Sequence, residues 1–210
     1  MPDTLATLRT LLIDRAAGSA NDPIFDPTSV DRIINTSNRR LGRVADWPWL
    51  TAIGTIAWTA NLASYDLSTI SQWRHTKHLS YLQRKLKYES PGAYVQYNQE
   101  TGTEPFRYTV AGNTLYLSPT PTAAVTINHV YTLDEIALTG DTATPLLPEA
   151  YTELLILAAL QPIAVRLHDT EMLNMARGEY KTALAEAIDE VRRTRQLPTI
   201  DADNSPWRTV

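Results

Sequence analysis

The chain of 210 residues contains no cysteine. That excludes disulfide staples and thiolate metal sites, and it fits a cytosolic origin. No apolar run is long enough to cross a bilayer. The start, Met1-Pro2-Asp3-Thr4, lacks the basic region of a signal peptide, so a soluble chain that is not secreted by the usual route is expected. There is no excess of positive charge: the formal net charge is −4, which excludes a globally basic nucleic-acid binder. Also missing are a phosphate loop, a dinucleotide glycine fingerprint and a Gly-x-Ser-x-Gly elbow. The apolar fraction of 43% is enough for a core, and the charged fraction of 20% argues against general disorder.

What is present is an order of elements. Leu5, Leu8, Leu11 and Leu12 fall on one face of a first helix over residues 4–15, which Asp3 or Thr4 can cap. A loop rich in Gly, Asn, Asp and Pro follows. A second helix, over residues 28–41, starts near Pro27, because proline suits the first helical turn. It buries Val30, Ile33, Ile34, Ser37 and Leu41, keeps Arg32, Arg39, Arg40 and Arg43 off that stripe, and has Gly42 as a candidate stop. Trp47 and Trp49, either side of Pro48, read as anchors of a chain turn rather than as ligand contacts.

Alternation then replaces the helical period, marking a β-rich insert over residues 51–132. Strands are expected from Thr51 to Ala60, Leu67 to Trp73, Phe106 to Val110, Thr114 to Leu117 and Val125 to Tyr131. Ala111-Gly112-Asn113 makes a turn, and Pro119 and Pro121 interrupt pairing. Ser80 to Tyr88 reads as a short helix. Pro148 opens a helix over residues 148–167 whose centre, Leu154 to Leu160, is apolar on every side and so must be buried on more than one face. Asp169 or Thr170 caps a last helix over residues 170–195, with Leu173, Ala176, Tyr180, Ala183, Leu184, Ala187, Ile188 and Val191 as its inward stripe. The short link makes the two helices antiparallel neighbours. The expected fold is α+β: N-terminal helices, a central antiparallel β element, a long C-terminal antiparallel helix pair and an extended C-terminal tail. The expected organisation is a single domain over residues 1–195 and a flexible tail over residues 196–210.

The residues that carry chemistry are few. His75 and His78, three apart, would share one helix face, but a zinc site needs a third protein ligand and none is near. His129 and His168 are isolated. Glu89, Glu100 and Glu104 could be paired as glycosidase carboxylates, as could acids in any chain with this many. No catalytic residue, metal or cofactor is expected. From Leu67 to Tyr88 there is no acidic residue, while Arg74, Lys77, Arg84, Lys85 and Lys87 alternate with Trp73, Tyr81 and Tyr88. Such a run can contact phosphates and stack on bases, or it can meet an acidic protein surface. Arg192, Arg193 and Arg195 complement the dipole at the last helix's C-terminus. In the tail, Trp207 and Arg208 follow Pro206. Tryptophan and arginine are enriched at binding hot spots, which makes this segment a candidate docking peptide.

Four pieces in order carry a resemblance: Ile33-Ile34-Asn35 in the second helix, the turn at Asp46-Trp47-Pro48, the β centre with Gly112-Asn113-Thr114-Leu115-Tyr116-Leu117 and Pro119-Thr120-Pro121, and the helix pair opened by Leu147-Pro148. From about Thr28 to Arg195 the chain resembles the head–tail connector (adaptor) proteins of tailed bacteriophages. The resemblance implies a structural virion protein without catalysis, made in the bacterial host's cytoplasm. Its subunits would form a ring, typically a dodecamer, under the portal protein, extending the DNA channel and meeting a stopper or tail protein. DNA would pass without sequence recognition and no membrane would be involved. On that resemblance, Trp207, Arg208, Pro206, Arg192, Arg193 and Arg195 would face the portal, and Arg74, Lys77, Arg84, Lys85 and Lys87 would face the channel or a partner. A tail-completion protein of the stopper kind, which is mainly β, or a nucleic-acid-binding module are the competing expectations.

Overall fold

A computed structural model describes residues 3–16, 25–95 and 101–196. In chain order the elements are helices α1 (Leu5–Arg15) and α2 (Pro27–Val44), strands β1 (Thr51–Trp58), β2 (Tyr65–Asp66), β3 (Trp73–Tyr81), β4 (Arg84–Lys85) and β5 (Lys87–Tyr88), helix α3 (Pro91–Tyr94), strands β6 (Thr101–Gly102), β7 (Arg107–Ala111), β8 (Thr114–Ser118), β9 (Thr120–Pro121) and β10 (Val125–Leu133), and helices α4 (Thr152–Arg166) and α5 (Thr170–Gln196). They divide into two compact units, residues 1–45 with 139–210, and residues 46–138. The α+β class, the helices at both ends and the antiparallel sheet between them agree with the sequence expectation. Residues 197–210 of the expected tail lie outside the described residues.

The helical unit is organised around α4. Four consecutive residues, Leu154, Leu155, Ile156 and Leu157, are all buried, which is possible only when neighbours cover the helix on several sides. Helices α1, α2 and α5 all pack on it. The caps follow from side-chain chemistry. Thr4 accepts from the Thr7 amide, Asp26 from the Ser29 amide and Asp169 from the Met172 amide, each satisfying a donor the helix cannot. Arg9 of α1 reaches both carboxylate oxygens of Asp31 on α2, at 3.0 and 2.9 Å, and Asp141 at 3.2 Å. The bidentate geometry fixes α1 against α2 in one register. The Leu5 amide donates to the Ala143 carbonyl at 2.8 Å.

The β unit is two small sheets, ordered β1-β10-β3-β4 and β2-β8-β7-β5, with a short parallel pair of β6 and β9. Ile56, Trp58, Leu79, Val125 and Ile127 from the first sheet and Tyr108, Leu115 and Leu117 from the second share one core. Inward residues alternate with exposed ones along β1, where Ile56 and Trp58 are buried and Thr55 and Ala57 exposed, as the pleat requires. Gly112 turns β7 into β8 at φ 60°, a conformation an L side chain disfavours.

Several expectations need correction. Ser80 to Tyr88 is not a helix: β3 runs to Tyr81 and turns at Leu82-Gln83 into β4 and then β5. Both turn residues have positive φ, 46° and 64°, so neither carries the glycine or asparagine that usually marks such a turn. Leu67 to Thr69 is a single 3-10 turn capped by Asp66, not a strand. Helix α2 passes through Gly42, which is buried, and ends at Val44. Pro148 precedes a 3-10 turn, Glu149–Tyr151, and α4 proper starts at Thr152. Ala158, Leu184 and Ile188 were expected to be buried and are half-buried. On α5 the buried residues are instead Ala176, Ala187 and Val191.

The contrast between the two helices is measurable. Leu155→Ala should destabilise by roughly 2–5 kcal/mol, because the site is fully packed. Leu184→Ala should cost roughly 1 kcal/mol or less, since part of that side chain is already in water. Denaturant unfolding of both variants checks the order, and an equal loss at the two sites would contradict the assignment of α4 as the central helix.

Candidate functional site

The acid-free segment folds into two distinct clefts of the β unit. Strand β3 carries two irregularities against β10. His78 pairs with Val130 and Thr76 with Tyr131, so Lys77 is the extra residue; His75 pairs with Thr132 and Trp73 with Leu133, so Arg74 is the extra residue of the second. A bulge shifts the facing of everything beyond it by one position. Without the first bulge Lys77 would point into the core. With it, Thr76 takes that place and is buried.

Thr76 sits in a buried polar relay. Its hydroxyl lies 2.9 Å from Nε2 of His129, and Nε1 of Trp73 donates to it at 3.2 Å. His129 is fully buried and stacks on Tyr131 with centroids 4.7 Å apart. Burial, with a smaller contribution from His78, pushes the His129 pKa down to about 4, so the imidazole is neutral at pH 7. The pKa of half-buried His78 is also lowered, by desolvation first and then by Lys85 and Lys77.

The cations of this segment are not equivalent. Lys77 is tied to Asp46 and donates to the Thr51 hydroxyl at 2.6 Å. Lys87 pairs with Glu89 at 2.7 Å. Arg74, His75 and Lys77 line a cleft of about 580 Å³ with Trp73, Tyr88 and Tyr108. Arg84 and Lys85, both exposed, line another of about 440 Å³ with Tyr81, Leu82, Glu104 and Phe106. Leu82 stands 66% exposed at the hairpin tip. The five cations therefore do not line one common cleft. His75 and His78 share a strand rather than a helix. Among the described residues, no group of three His, Asp or Glu side chains could hold a metal ion.

At the other candidate surface, the C-terminal turns of α5, Arg192 lies 3.7 Å from Asp189, and both are largely exposed. Arg193 is exposed beside Glu186, Asp189, Glu190 and Thr194. Arg195 belongs to the last turn of α5, and its side chain lies outside what the structure describes, as do Pro206, Trp207 and Arg208. The helix dipole accounts for these arginines at sequence level, and the structure adds the acids beside them. Arg32, Arg39, Arg40 and Arg43 of α2 are exposed, off the buried stripe as the sequence predicts, though the sequence reading gives them no role.

His129 generates a pH prediction. The unfolded imidazole takes its proton near 6.5 and the folded one only near 4. Between those values the unfolded state holds the extra proton, so stability falls as pH drops through this window and is complete above about 6.5. The loss between pH 7 and pH 4 from this group alone is about 3 kcal/mol. His129→Gln, which keeps a hydrogen-bonding partner for Thr76 but cannot titrate, should flatten the unfolding free energy across pH 4–6.5. An unchanged pH slope would show that His129 takes its proton equally in the folded and unfolded states, without the lowered pKa.

The sequence model of the SU10 adaptor protein family matches residues 4–209, nearly the whole chain. Among curated proteins, none matches. The chain belongs to the SU10 adaptor protein family.

Proposed function

Taking membership of a phage adaptor family as the premise, we propose that this chain is a structural component of the virion neck. Copies form a closed ring, probed first as a dodecamer, that docks under the portal, extends the DNA channel and joins the head to the next neck or tail protein. The match over residues 4–209 carries this reading. The fold is compatible with it. A closed ring needs two different faces on one protomer, and α2 and α5, both packed on α4, each keep an exposed polar face. A net charge of −4 suits a conduit that must release DNA rather than hold it. The protein has no catalytic role in this reading. The described residues include no helix long and apolar enough to cross a membrane.

A nucleic-acid-binding role is the second reading, and one observation favours it: Arg74, His75 and Lys77 share a cleft with Trp73, Tyr88 and Tyr108. Lys77 is already committed to Asp46, which lowers the charge available to phosphate. Retention on DNA with a steep salt slope would support it. Zero retention is expected at physiological salt.

In the adaptor reading, the segment around Pro206, Trp207 and Arg208 docks on the portal with Arg192, Arg193 and Arg195 at its base, while Arg84 and Lys85 meet a partner. Deleting residues from Ile200 onward should leave melting unchanged and abolish co-sedimentation with portal rings. Electron microscopy of the purified chain, alone and mixed with portal, should show a ring stacked on the portal. A truncated chain that binds portal as tightly as the full chain removes the docking role. A chain that forms no ring under either condition removes the ring.

A further inference from the structure

We propose that neighbouring copies associate through a stripe of arginines on α2 of one copy and a stripe of glutamates on α5 of the next, with the two helices side by side and parallel. The proposal rests on the ring reading above and names its interface.

Both stripes lie on the helical unit, and their spacings are the same. Arg32, Arg39 and Arg43 are seven and four residues apart on α2; Glu179, Glu186 and Glu190 are seven and four residues apart on α5. At 100° per residue each trio falls within about 40° of one line along its helix, with steps of about 10.5 and 6 Å. All six residues are exposed. Asp31, the one acid on α2, is occupied by Arg9, so the α2 stripe has no acid interleaved with it. On α5, Met175 is 42% exposed one turn before Glu179 and gives the acidic line an apolar contact.

The matched intervals dictate direction. With the helices parallel, Arg32 faces Glu179, Arg39 faces Glu186 and Arg43 faces Glu190 together. With the helices antiparallel the intervals run in opposite order, and the middle pair misses by about 4.5 Å. Arg43 also lines a cleft with Val44 and Tyr180 of its own subunit, and the two glutamates that already have partners keep capacity for another. Glu190 uses Oε2 to accept from the Tyr151 hydroxyl, and Glu179 meets Arg15 at 2.9 Å; a carboxylate has acceptor capacity for a further donor. Single exposed ion pairs contribute little, so the stripes set partner, orientation and register while apolar contacts hold the joint. The two stripes belong to different helices, as a head-to-tail cyclic interface requires. A phosphate backbone could also meet the arginines, but it would leave the matching glutamates without a role.

Charge reversal tests the pairing on the full chain. One variant carries Arg32→Glu with Arg39→Glu; the other carries Glu179→Arg with Glu186→Arg. Circular dichroism first confirms that both fold. Sedimentation and negative-stain microscopy then follow assembly at low and physiological salt. Each variant alone should fail to form rings, with the association midpoint raised roughly tenfold or more. An equimolar mixture should recover rings with the two variants alternating, because each presents the face the other lacks. Rings formed by either variant alone overturn this interface and leave the ring reading intact. No rings from the wild-type chain, alone or on portal, overturn the reading and the interface together. Loss of assembly that mixing does not restore, or loss of DNA retention by the Arg32→Glu/Arg39→Glu variant, also overturns it, the last in favour of a nucleic-acid surface.

Discussion

Everything in the helical unit follows from one constraint: α4 has no polar face to give to water. Leu154 to Leu157 are buried in succession, so one partner helix cannot be enough, and α1, α2 and α5 each cover part of the circumference. The apolar stripes of those helices are the complement. Val30, Ile33, Ile34 and Leu41 point inward from α2, and Leu5, Leu8 and Leu12 from α1. The Arg9–Asp31 fork then selects one alignment among those that burial alone would tolerate. The same arrangement leaves Arg32, Arg39 and Arg43 of α2 and Glu179, Glu186 and Glu190 of α5 in solvent.

The β unit solves a different problem with a bulge. A strand whose inward positions would include a lysine cannot pack. Making Lys77 the extra residue lets Thr76 turn inward, where it meets His129 and Trp73. The cost is an imidazole held neutral far below its ordinary pKa, and the result is a polar fastening inside an apolar core.

Sequence reading was most successful where a single period ran long. The stripe on α2 and the all-round apolarity of α4 needed only the 3.6-residue period, and the caps at Thr4 and Asp169 needed only the chemistry of an oxygen beside orphan amides. It failed at Ser80 to Tyr88, because Tyr81, Leu82 and Leu86 mimic helical spacing while the turn at Leu82-Gln83 lacks the residues that usually announce positive φ. It failed at Gly42, which is buried inside α2 rather than ending it. Leu184 and Ile188 fall on the inward stripe by spacing, yet on α5 it is Ala176, Ala187 and Val191 that are buried. The charged surfaces were only half legible. Composition located the cations between Arg74 and Lys87, but nothing in composition told that Lys77 and Lys87 would find acids within their own unit, or that Arg84 and Lys85 would line a separate cleft.

Membership of an adaptor family makes location in the particle the most direct test of the account. Gold-labelled antibody raised against the chain, applied to intact phage particles and to particles whose tails have been detached, should mark a single site per particle, at the vertex where head meets tail. Label spread over the capsid or along the tail, or absent from purified virions, would contradict the account.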